Sequence, residues 1–350
     1  MIILGIESTA HTFSIAIAEK QTREKKEKGK KEKGNNGEKI QILSNATDKY
    51  PSTLEGYIPR KLADHHAEVF PKLLQEAILK SGVSLSAIDA VAYSQGSGIG
   101  HCLHVGFVAA KTLSSTLAIP LVPVNHSVAH IEIGKELYCK TSDPLVVYVS
   151  GGNTQIMTLD EKARRYRVYG ETIDIGIGNF VDVLGRTMKL TPPDAVGVVK
   201  AAQNGKKFID LPYTVRGMNL AFSGLQTYID KKVLPGVASG KYAVDDVAFS
   251  AQETAFAMLC EATERALCHT NKKEVLLCGG NARNQRLQEM LRLMCDEHHV
   301  NFAVTSFEHS GDQAAMIALT GIKLLEAKCP DMKSAIPRQR FRTDVSCICW

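Results

Sequence analysis

The chain of 350 residues is 44% hydrophobic and 23% charged, which excludes a disordered protein and is enough for two domains with a sizeable core. Its net charge of +5 comes from residues 20–39, where nine Lys or Arg stand against four Glu, while the rest of the chain is balanced. A globally basic nucleic-acid-binding surface is therefore excluded, and an RNA contact would need a local patch, a partner protein or this Lys-rich tract, which we expect to be a solvated loop.

Apolar runs predict that the chain opens with a β-hairpin. Residues 2–6 and 13–18 have the pattern of buried strands, and a polar turn separates them. The Lys-rich tract then lengthens the loop before a third strand at 40–43. Further along, apolar periodicity predicts a helix at 60–80, a strand at 88–93, a small-residue helix from about 105 to 117 and a strand at 120–124.

The same pattern restarts near residue 145. A strand at 145–150 meets a turn of Gly, Asn and Thr, and a second strand follows at 155–159. Later segments predict a strand at 274–277 and helices at 245–269 and 286–298. Two α/β halves, each opened by a hairpin whose turn is rich in small residues, predict an internally duplicated nucleotide-binding fold.

Three turns carry groups that suit phosphate. The first hairpin turn holds Ser8 and Thr9, the second holds Gly151 and Gly152, and the pair Gly279-Gly280 precedes a helix. Glycine lets the backbone approach a ligand, and amides and hydroxyls bind phosphate oxygens, above all at a helix N-terminus. Hairpins favour the same residues for structural reasons, so it is the matching placement in two halves that favours a nucleotide.

A pair of histidines is the sharpest chemical feature. If a helix begins at His126, it presents His126 and His130 on one face, four residues apart, where two imidazoles can share a metal. The alternative is two surface or capping histidines. A third ligand would come from a distant segment, and Asp312, which precedes a helix, is either that ligand or an N-cap. The pair does not match the zinc-protease motif, because Ser127 stands where a general base is required.

Cysteine usage and hydropathy point to the cell interior. Nine scattered cysteines, several in apolar helical contexts, are typical of reduced core thiols. Cys347 and Cys349 are close in sequence, but without a second pair to complete a tetrahedral site they are a weak signal for zinc. Because no stretch reaches the roughly 18 apolar residues of a membrane span, we expect no membrane contact and a location in the cytoplasm, with the nucleus as an alternative.

At this point the motifs match a known family. The sequence resembles the TsaD-type tRNA threonylcarbamoyladenosine transferases, and within them the archaeal and eukaryotic catalytic subunit of the KEOPS complex, also called the OSGEP type. The resemblance covers nearly the whole chain apart from the Lys-rich tract. It rests on the segments IESTAHT, YIPRKLADHHAEVFPKLLQEA, SQGSGIG, NHSVAH, YVSGGNTQ, GETIDIGIGN, LPYTVRGMNLAFSGL, FSAQETAFAMLCEATERAL, CGGNARNQRLQEM and RFRTD.

The resemblance implies an α/β fold of the actin-like ATPase type, with the duplicated ribonuclease H-like domains of the ASKHA class. We expect one actin-like subdomain at 1–125 and a second at 126–350 with a helical insertion, whose C-terminal segment packs back on the first half. The implied activity transfers threonylcarbamoyl from threonylcarbamoyl-AMP to the adenosine beside the anticodon of tRNAs that read ANN codons. The implied partners are tRNA, a small atypical protein kinase and a dimerising subunit.

Carried over residue by residue, the resemblance implies one iron or zinc ion and a nucleotide, with no protein nucleophile. The metal ligands would be His126, His130, Tyr148 and Asp312. The residues that would contact ATP or threonylcarbamoyl-AMP are Tyr148, Val149, Ser150, Gly151, Gly152, Asp182, Gly197 and Asn284, with the first-turn pair Ser8 and Thr9 as a further phosphate turn.

The sequence also departs from the family pattern. Relatives carry a Gly-rich stretch followed by an acid that holds the ribose, whereas residues 190–200 read LTPPDAVGVVK. One alignment puts Gly197 at the glycine position and Ala201 at the acid's; the other puts Val199 at the acid's. The acid is missing in both, which weakens nucleotide binding by about 1.5–3 kcal/mol without removing a site held by metal and backbone. In the segment that follows Asp312, Gln313 and Ala314 stand where relatives usually have Asn and Gly.

Three alternatives to the transferase follow from these features. The missing acid favours a scaffold subunit of the KEOPS complex with weakened catalysis. A metalloprotease is a second alternative, but it would need a general base at the position where this chain has Ser127. A sugar kinase of the same fold would not need the histidine pair.

Overall fold

A computed structural model describes residues 1–21, 39–51, 56–329 and 334–350. Most of the Lys-rich tract, residues 22–38, lies outside this part, so the expected solvated loop stays a prediction. The chain forms two compact units. Unit 1 comprises Met1–Tyr50, Ile58–Glu132 and Asp312–Trp350, and unit 2 comprises Pro51–Tyr57 and Ile133–Gly311. The division predicted at residue 125 stays a prediction.

The helices and strands follow in chain order. They are β1 (Ile2–Glu7), β2 (Thr12–Gln21), β3 (Lys39–Lys49), α1 (Pro59–Ser81), β4 (Ala90–Gly96), α2 (Gly100–Leu117), β5 (Leu121–Asn125), α3 (His126–Tyr138), β6 (Leu145–Val149), β7 (Thr154–Asp160), β8 (Arg165–Glu171), α4 (Ile177–Thr187), α5 (Ala195–Ala202), β9 (Val215–Arg216), β10 (Asn219–Leu220), α6 (Ser223–Tyr228), α7 (Leu234–Ala238), α8 (Val244–Thr270), β11 (Glu274–Cys278), α9 (Gln285–Glu297), β12 (Asn301–Val304), α10 (Phe307–Ser310) and α11 (Ala314–Glu326). Across the described residues, none of these helices combines the length and apolarity needed to cross a membrane.

The sheet of unit 1 has the order β3-β2-β1-β4-β5. Its first three strands are antiparallel, and β4 and β5 run parallel to β1. Alternate side chains of β1 face opposite sides: Leu4 and Ile6 join the apolar cluster with α1 and α2, while Gly5 lies against α11. A Cβ on Gly5 would lie 2.5 Å from the carbonyl oxygen of Ala314, so glycine lets α11 pack directly on the sheet. Helices thus cover both faces, which explains the continuous apolar runs.

The sheet of unit 2 repeats this scheme with the order β12-β11-β6-β7-β8. Strands β6, β7 and β8 are antiparallel, and β11 and β12 run parallel to β6. The long helix α8 contributes a row of buried apolar residues to its core, among them Val247, Ala251 and Leu259. Two sheets of one topology, each opened by a hairpin, confirm the duplicated actin-like α/β fold.

A C-terminal strap, residues 334–350, lies along the ends of β4 and β5 within unit 1. Gln95 donates to the carbonyl of Ser334 at 2.6 Å, and its own carbonyl accepts from the amide of Arg338 at 2.7 Å. Asn125 donates to the carbonyl of Arg342 at 3.0 Å. The strap therefore closes over the strand end from which α3 begins.

Candidate functional site

Two histidines of one helix and an aspartate from a distant segment meet in unit 1. Asn125 caps α3, because its Oδ1 accepts hydrogen bonds from two amides of the first turn at 2.9 and 3.3 Å. His126 and His130 follow on one face of α3, with ring centroids 4.7 Å apart. Asp312 precedes α11, and its Oδ1 lies 3.6 Å from Nε2 of His126 and 3.3 Å from Nε2 of His130.

The first hairpin turn holds His126 from the other side of its ring. Glu7 Oε2 lies 3.0 Å from Nδ1 of His126, and Thr9 Oγ1 lies 3.3 Å from the same nitrogen. Glu7 is fully buried, and its Oε1 accepts hydrogen bonds from the amide and hydroxyl of Thr9. A carboxylate on one imidazole nitrogen fixes the ring orientation. Glu7 and Thr9 therefore position His126 with Nε2 towards Asp312.

Burial and charge oppose each other in this cluster. Burial disfavours the charged form of His126, but the charge and hydrogen bond of Glu7 outweigh it and raise the pKa of His126 to about 9. Burial lowers the pKa of His130 in spite of its hydrogen bond to Asp312. Burial also disfavours charge on Asp312, but the hydrogen bond to His130 and the charge of His126 hold the pKa of Asp312 well below its usual range. A metal ion would thus meet a carboxylate and a neutral imidazole, and would displace a proton from His126.

The donor atoms fit one metal ion. Two ligands at 2.0–2.2 Å from an ion, at angles of about 90–110°, lie roughly 2.8–3.6 Å apart. The distances of 3.3 and 3.6 Å from Asp312 fall in this range, and the three donor atoms lie within 4.8 Å of one another. Imidazole and carboxylate together suit zinc, iron and similar divalent ions.

The first hairpin turn is filled by its own protein contacts. The amide of Ser8 donates to Ser94 Oγ at 3.0 Å, and Ser8 and Thr9 are each 1% exposed. A Cβ on Gly106 would lie 1.9 Å from Ser8 Oγ, and one on Gly98 would lie 2.6 Å from the carbonyl oxygen of Thr9. Phosphate binding by Ser8 and Thr9 stays a prediction, while the contacts here orient His126.

The matching turn of unit 2 is open. Its ends are closed by Ser150 and Asn153, since the amide of Ser150 donates to the carbonyl of Asn153 at 2.8 Å and the amide of Asn153 donates to Ser150 Oγ at 3.1 Å. Between them, Gly151 and Gly152 are exposed, and a Cβ on Gly152 would meet nothing within 4 Å. The backbone of this turn therefore has room for a ligand.

Other glycines hold the open turn in place by close backbone packing. A Cβ on Gly176, Gly178 or Gly279 would lie 2.4, 2.6 or 2.4 Å from a carbonyl oxygen of residues 149–151, and Gly279 also has a φ of 97°. Gly280, like Gly152, faces open space. We name residues 150–152, 176–178 and 279–280 the glycine cradle. It combines a turn, the start of α4 and a loop, an arrangement that suits phosphate.

The side chains of both predicted nucleoside contacts accept hydrogen bonds from amides at helix starts in unit 2. Asp182 Oδ1 accepts from the amide of Ala195 at 2.9 Å, at the start of α5, where Asp194 is the N-cap. Asn284 caps α9 and donates to Gln252 at 3.1 Å. Both side chains thus stabilise the start of a helix. Nucleoside contact by Asp182 and Asn284 stays a prediction.

Helix α5 carries the segment that departs from the family pattern. Gly197 is buried, and a Cβ there would lie 2.0 Å from the carbonyl oxygen of Pro192, so it permits close packing. Ala201 belongs to the apolar core of unit 2, whereas Val199 is half-buried. A carboxylate at Ala201 would therefore enter the core, and Val199 is the more suitable position for one. A ligand role for Gly197 stays a prediction.

Tyr148 and Val149 end strand β6 in unit 2. Both side chains are fully buried, and the ring of Tyr148 lies 3.1 Å from a Cβ built on Gly279. Metal ligation by Tyr148, and ligand contacts by Val149 and Ser150, stay predictions. The structure brings together His126, His130 and Asp312, and it adds Glu7, which sequence reasoning missed; the available signal was an acid at the end of a buried strand.

Comparison with known proteins identifies the family. The profile described as TsaD: tRNA N6-adenosine threonylcarbamoyltransferase matches residues 41–319. The chain is 42% identical to the tRNA N6-adenosine threonylcarbamoyltransferase of Thermococcus sibiricus, over all of both chains. It is 46% identical to a probable bifunctional tRNA threonylcarbamoyladenosine biosynthesis protein of Methanococcus maripaludis, covering all of this chain and 60% of that protein.

A solved structure shares the fold at low identity. The crystal structure of T. kodakarensis HypF matches with a TM-score of 0.58 at 14% identity, covering 93% of this chain and 48% of that one. This likeness concerns the fold alone, whereas the sequence matches span the whole chain. The chain therefore belongs to the tRNA N6-adenosine threonylcarbamoyltransferases and is an enzyme of that family.

Proposed function

We propose that this enzyme transfers threonylcarbamoyl from threonylcarbamoyl-AMP to the N6 amine of the adenosine next to the anticodon, in tRNAs that read ANN codons. The observation that carries the proposal is the convergence of His126, His130 and Asp312, with His126 oriented by Glu7, in a chain of this family. Such an oriented donor set serves a group transfer that needs no protein nucleophile.

The reaction balances without a covalent enzyme intermediate. The N6 nitrogen attacks the carbamoyl carbon, a C–N bond forms, and the bond from that carbon to the phosphate oxygen breaks. AMP leaves with the bonding electrons, and the amine gives up one proton to solvent.

The metal in this proposal is iron or zinc, held by His126, His130 and Asp312, with Tyr148 as a further ligand. When bound, the ion supplies a Lewis acid for the carbamoyl carbonyl or the phosphate. Glu7 keeps Nε2 of His126 available by binding Nδ1 at 3.0 Å.

The nucleotide in this proposal binds at the glycine cradle. Residues 149–152 would hold the phosphate or carbamoyl end through backbone groups, Asp182 and Asn284 the sugar and base, and Gly197 would lie near the ribose. The room at Gly152 and the start of α4 support this placement.

The partners in this proposal are KEOPS subunits, among them a small atypical kinase and a dimerising subunit that helps to recruit tRNA. The balanced charge outside residues 20–39 supports such help, because strong binding to tRNA by one chain needs many basic contacts. The M. maripaludis relative, named bifunctional, is longer than this chain.

Transfer of labelled threonine to tRNA tests the proposal. The full chain is supplied with threonylcarbamoyl-AMP, made in the assay by a separate enzyme, and with unmodified tRNA reading ANN codons, first alone and then with partner subunits. We expect label on this tRNA and none on a tRNA with another base at that position. Metal-loaded protein that transfers nothing even with partners would favour the scaffold alternative, which the missing acid at Val199 or Ala201 supports.

A further inference from the structure

Three cysteines converge in unit 1 after the end of α11, whereas Asp312 of the histidine cluster precedes the start of that helix. Cys329 follows α11, whereas Cys347 and Cys349 lie in the strap. Cys349 Sγ lies 3.0 Å from Cys329 Sγ and 3.1 Å from Cys347 Sγ, and all three sulfurs lie within 4.8 Å of one another. Sequence reasoning saw the pair Cys347 and Cys349 and found no further ligand; the fold supplies Cys329.

The backbone around the cluster is fixed by ordinary structure. Lys328 has a φ of 48°, and the amide of Cys329 donates to the carbonyl of Leu324 at 3.2 Å, so the end of α11 sets the place of Cys329. In the strap, Ile348 is 3% exposed. Its burial between the two cysteines anchors the pair against the unit. The convergence thus follows from helix capping and apolar packing.

We propose that Cys329, Cys347 and Cys349 bind a zinc ion, separate from the metal at the histidines. Sulfurs at about 2.3 Å from a tetrahedral ion lie roughly 3.8 Å apart. The two contacts of Cys349, at 3.0 and 3.1 Å, are shorter than that value, and the third separation is below 4.8 Å, so small side-chain movements make room for the ion. Thiolates select zinc and copper(I) over harder cations.

A disulfide fits these contacts less well. It joins two sulfurs at about 2.05 Å and leaves the third outside the bond. Here Cys349 lies about equally far from both neighbours, as expected for three ligands of one centre. Binding releases the thiol protons to solvent. Cys347 and Cys349 are only half-buried, so water can supply the fourth ligand.

The ion would fasten α11 to the strap close to the support of the histidine cluster. Ser346, next to Cys347, has its Oγ 2.8 Å from Nδ2 of Asn125, the cap of α3. On the other side of the cysteines, Trp350 donates to the buried Glu132 of α3 at 2.8 Å. The zinc would thereby stabilise the segment that holds the start of α3.

Cobalt titration of the full chain tests this site. Protein stripped of metal is titrated with Co²⁺ alone, because thiolate ligands give an intense near-ultraviolet charge-transfer band that imidazole and carboxylate do not. We expect the band in the parent protein and in the double variant His126→Ala, His130→Ala. Cys349→Ser should lose the band, and zinc should bind at the remaining two cysteines at least about a hundredfold more weakly, since loss of an outer-shell partner alone costs 10–100-fold. The matched control is Cys268→Ser, which removes an exposed cysteine elsewhere.

A measurement on the parent protein covers the case in which Cys349→Ser fails to fold. Zinc should slow alkylation of the three cysteines, located by mass spectrometry, and leave that of Cys268 unchanged. Absence of the charge-transfer band, alkylation that zinc does not slow, or a disulfide between Cys329 and Cys349 that persists in metal-loaded protein would each overturn the proposal.

Discussion

The two hairpin turns that open the two units have the same place in the fold and different contents. The turn of unit 1 is lined by Glu7 and Thr9, which use their side chains to fix His126, and its amides are engaged within the protein. The turn of unit 2 carries Gly151 and Gly152, which leave the backbone open. In one copy of this topology the turn uses side chains to contact His126, and in the other it leaves the backbone open, because the turn residues can differ while the strands keep the sheet.

The largest effect on metal affinity and activity is expected from removing the two imidazoles of α3, one of which the first turn orients. The double variant His126→Ala, His130→Ala should lose metal affinity by more than about a hundredfold, beyond the cost of an outer-shell partner, and with it threonylcarbamoyl transfer. Elemental analysis measures the metal, and His101→Ala, on an exposed face of α2, is the control. An unchanged number of metal ions per chain in the double variant would contradict the assignment, because only the ion proposed at the cysteines should stay. Unchanged ATP affinity would separate the roles of the two turns.

The next effect concerns the nucleoside side of the glycine cradle. Asp182→Ala should weaken ATP binding about ten- to a hundredfold, because the lost hydrogen bond is worth about 1.5–3 kcal/mol when the usual acid is already absent. Asp194→Ala is a matched control, because Asp182 and Asp194 both accept hydrogen bonds from backbone amides at the start of α5. Calorimetry and unfolding of both variants separate the two roles. If both lose ATP affinity equally, Asp182 acts through the helix cap alone.

An effect of about tenfold, this time on metal affinity, is expected from changing Glu7 in the first turn. Glu7→Gln keeps the shape of the side chain and removes its charge, so metal affinity should fall about tenfold. In the metal-free protein the pKa of His126 should drop from about 9 towards its ordinary value, because the Glu7 charge that raises it is gone. An NMR titration of the imidazole measures this shift. A pKa that stays near 9 would show that Glu7 does not control His126.

A smaller and more selective effect is expected from the open turn. Gly152→Ala meets no protein atom, so stability should change by less than about 0.5 kcal/mol while ATP affinity falls about tenfold. Gly176→Ala places a Cβ 2.4 Å from the carbonyl of Gly151 and should cost about 1–3 kcal/mol of stability. Gly224→Ala, on α6 and also in open space, is the control for both measurements. Parental ATP affinity in Gly152→Ala would argue against a nucleotide at the cradle.

The smallest effect on stability is expected from shortening the connection between the second and third strands of the first sheet, which is much longer than its counterpart in the second sheet. Strands β7 and β8 are joined by residues 161–164, whereas the equivalent β2 and β3 are joined by the Lys-rich tract. Deleting residues 22–37 makes the first connection resemble the second, and Tm should barely move because loop length changes closure entropy slowly. Filter binding to tRNA over a range of salt concentrations completes the test. A clearly reduced salt slope would show that the tract contacts RNA and is no passive loop.

Local patterns were enough to predict most of the elements near the site. The predicted helix at 60–80 is α1 at Pro59–Ser81, and the strands at 2–6 and 13–18 are β1 and β2 with slightly wider bounds. Periodicity succeeds here because these segments bury apolar residues at regular intervals. Strand β8, which alternates charged and buried residues, and the Gly-rich start of α4 were not predicted.

Long-range pairings were beyond the reach of local patterns. Glu7 and His126 are in contact although 119 positions separate them in the sequence. Cys329 contacts Cys349 only because the strap returns to the end of α11. The spacing of His126 and His130 predicted a shared ligand, since one helical turn brings them together without further information. The residue pattern left Asp312 as either a metal ligand or an N-cap. Only the fold shows that its carboxylate lies within 3.6 Å of both imidazoles.

The discontinuous make-up of unit 1 has a consequence for biosynthesis. Residues Ile133–Gly311 of unit 2 leave the ribosome as one nearly complete body, whereas unit 1 waits for Asp312–Trp350. Helix α11 covers one face of the first sheet, and the strap contacts the strand ends, so the nascent N-terminal segment exposes apolar strands until Asp312–Trp350 has been synthesised. Asp312, a proposed metal ligand, is synthesised with these elements. Binding of the proposed metal therefore has to wait until Asp312 and the last segment of unit 1 have been synthesised.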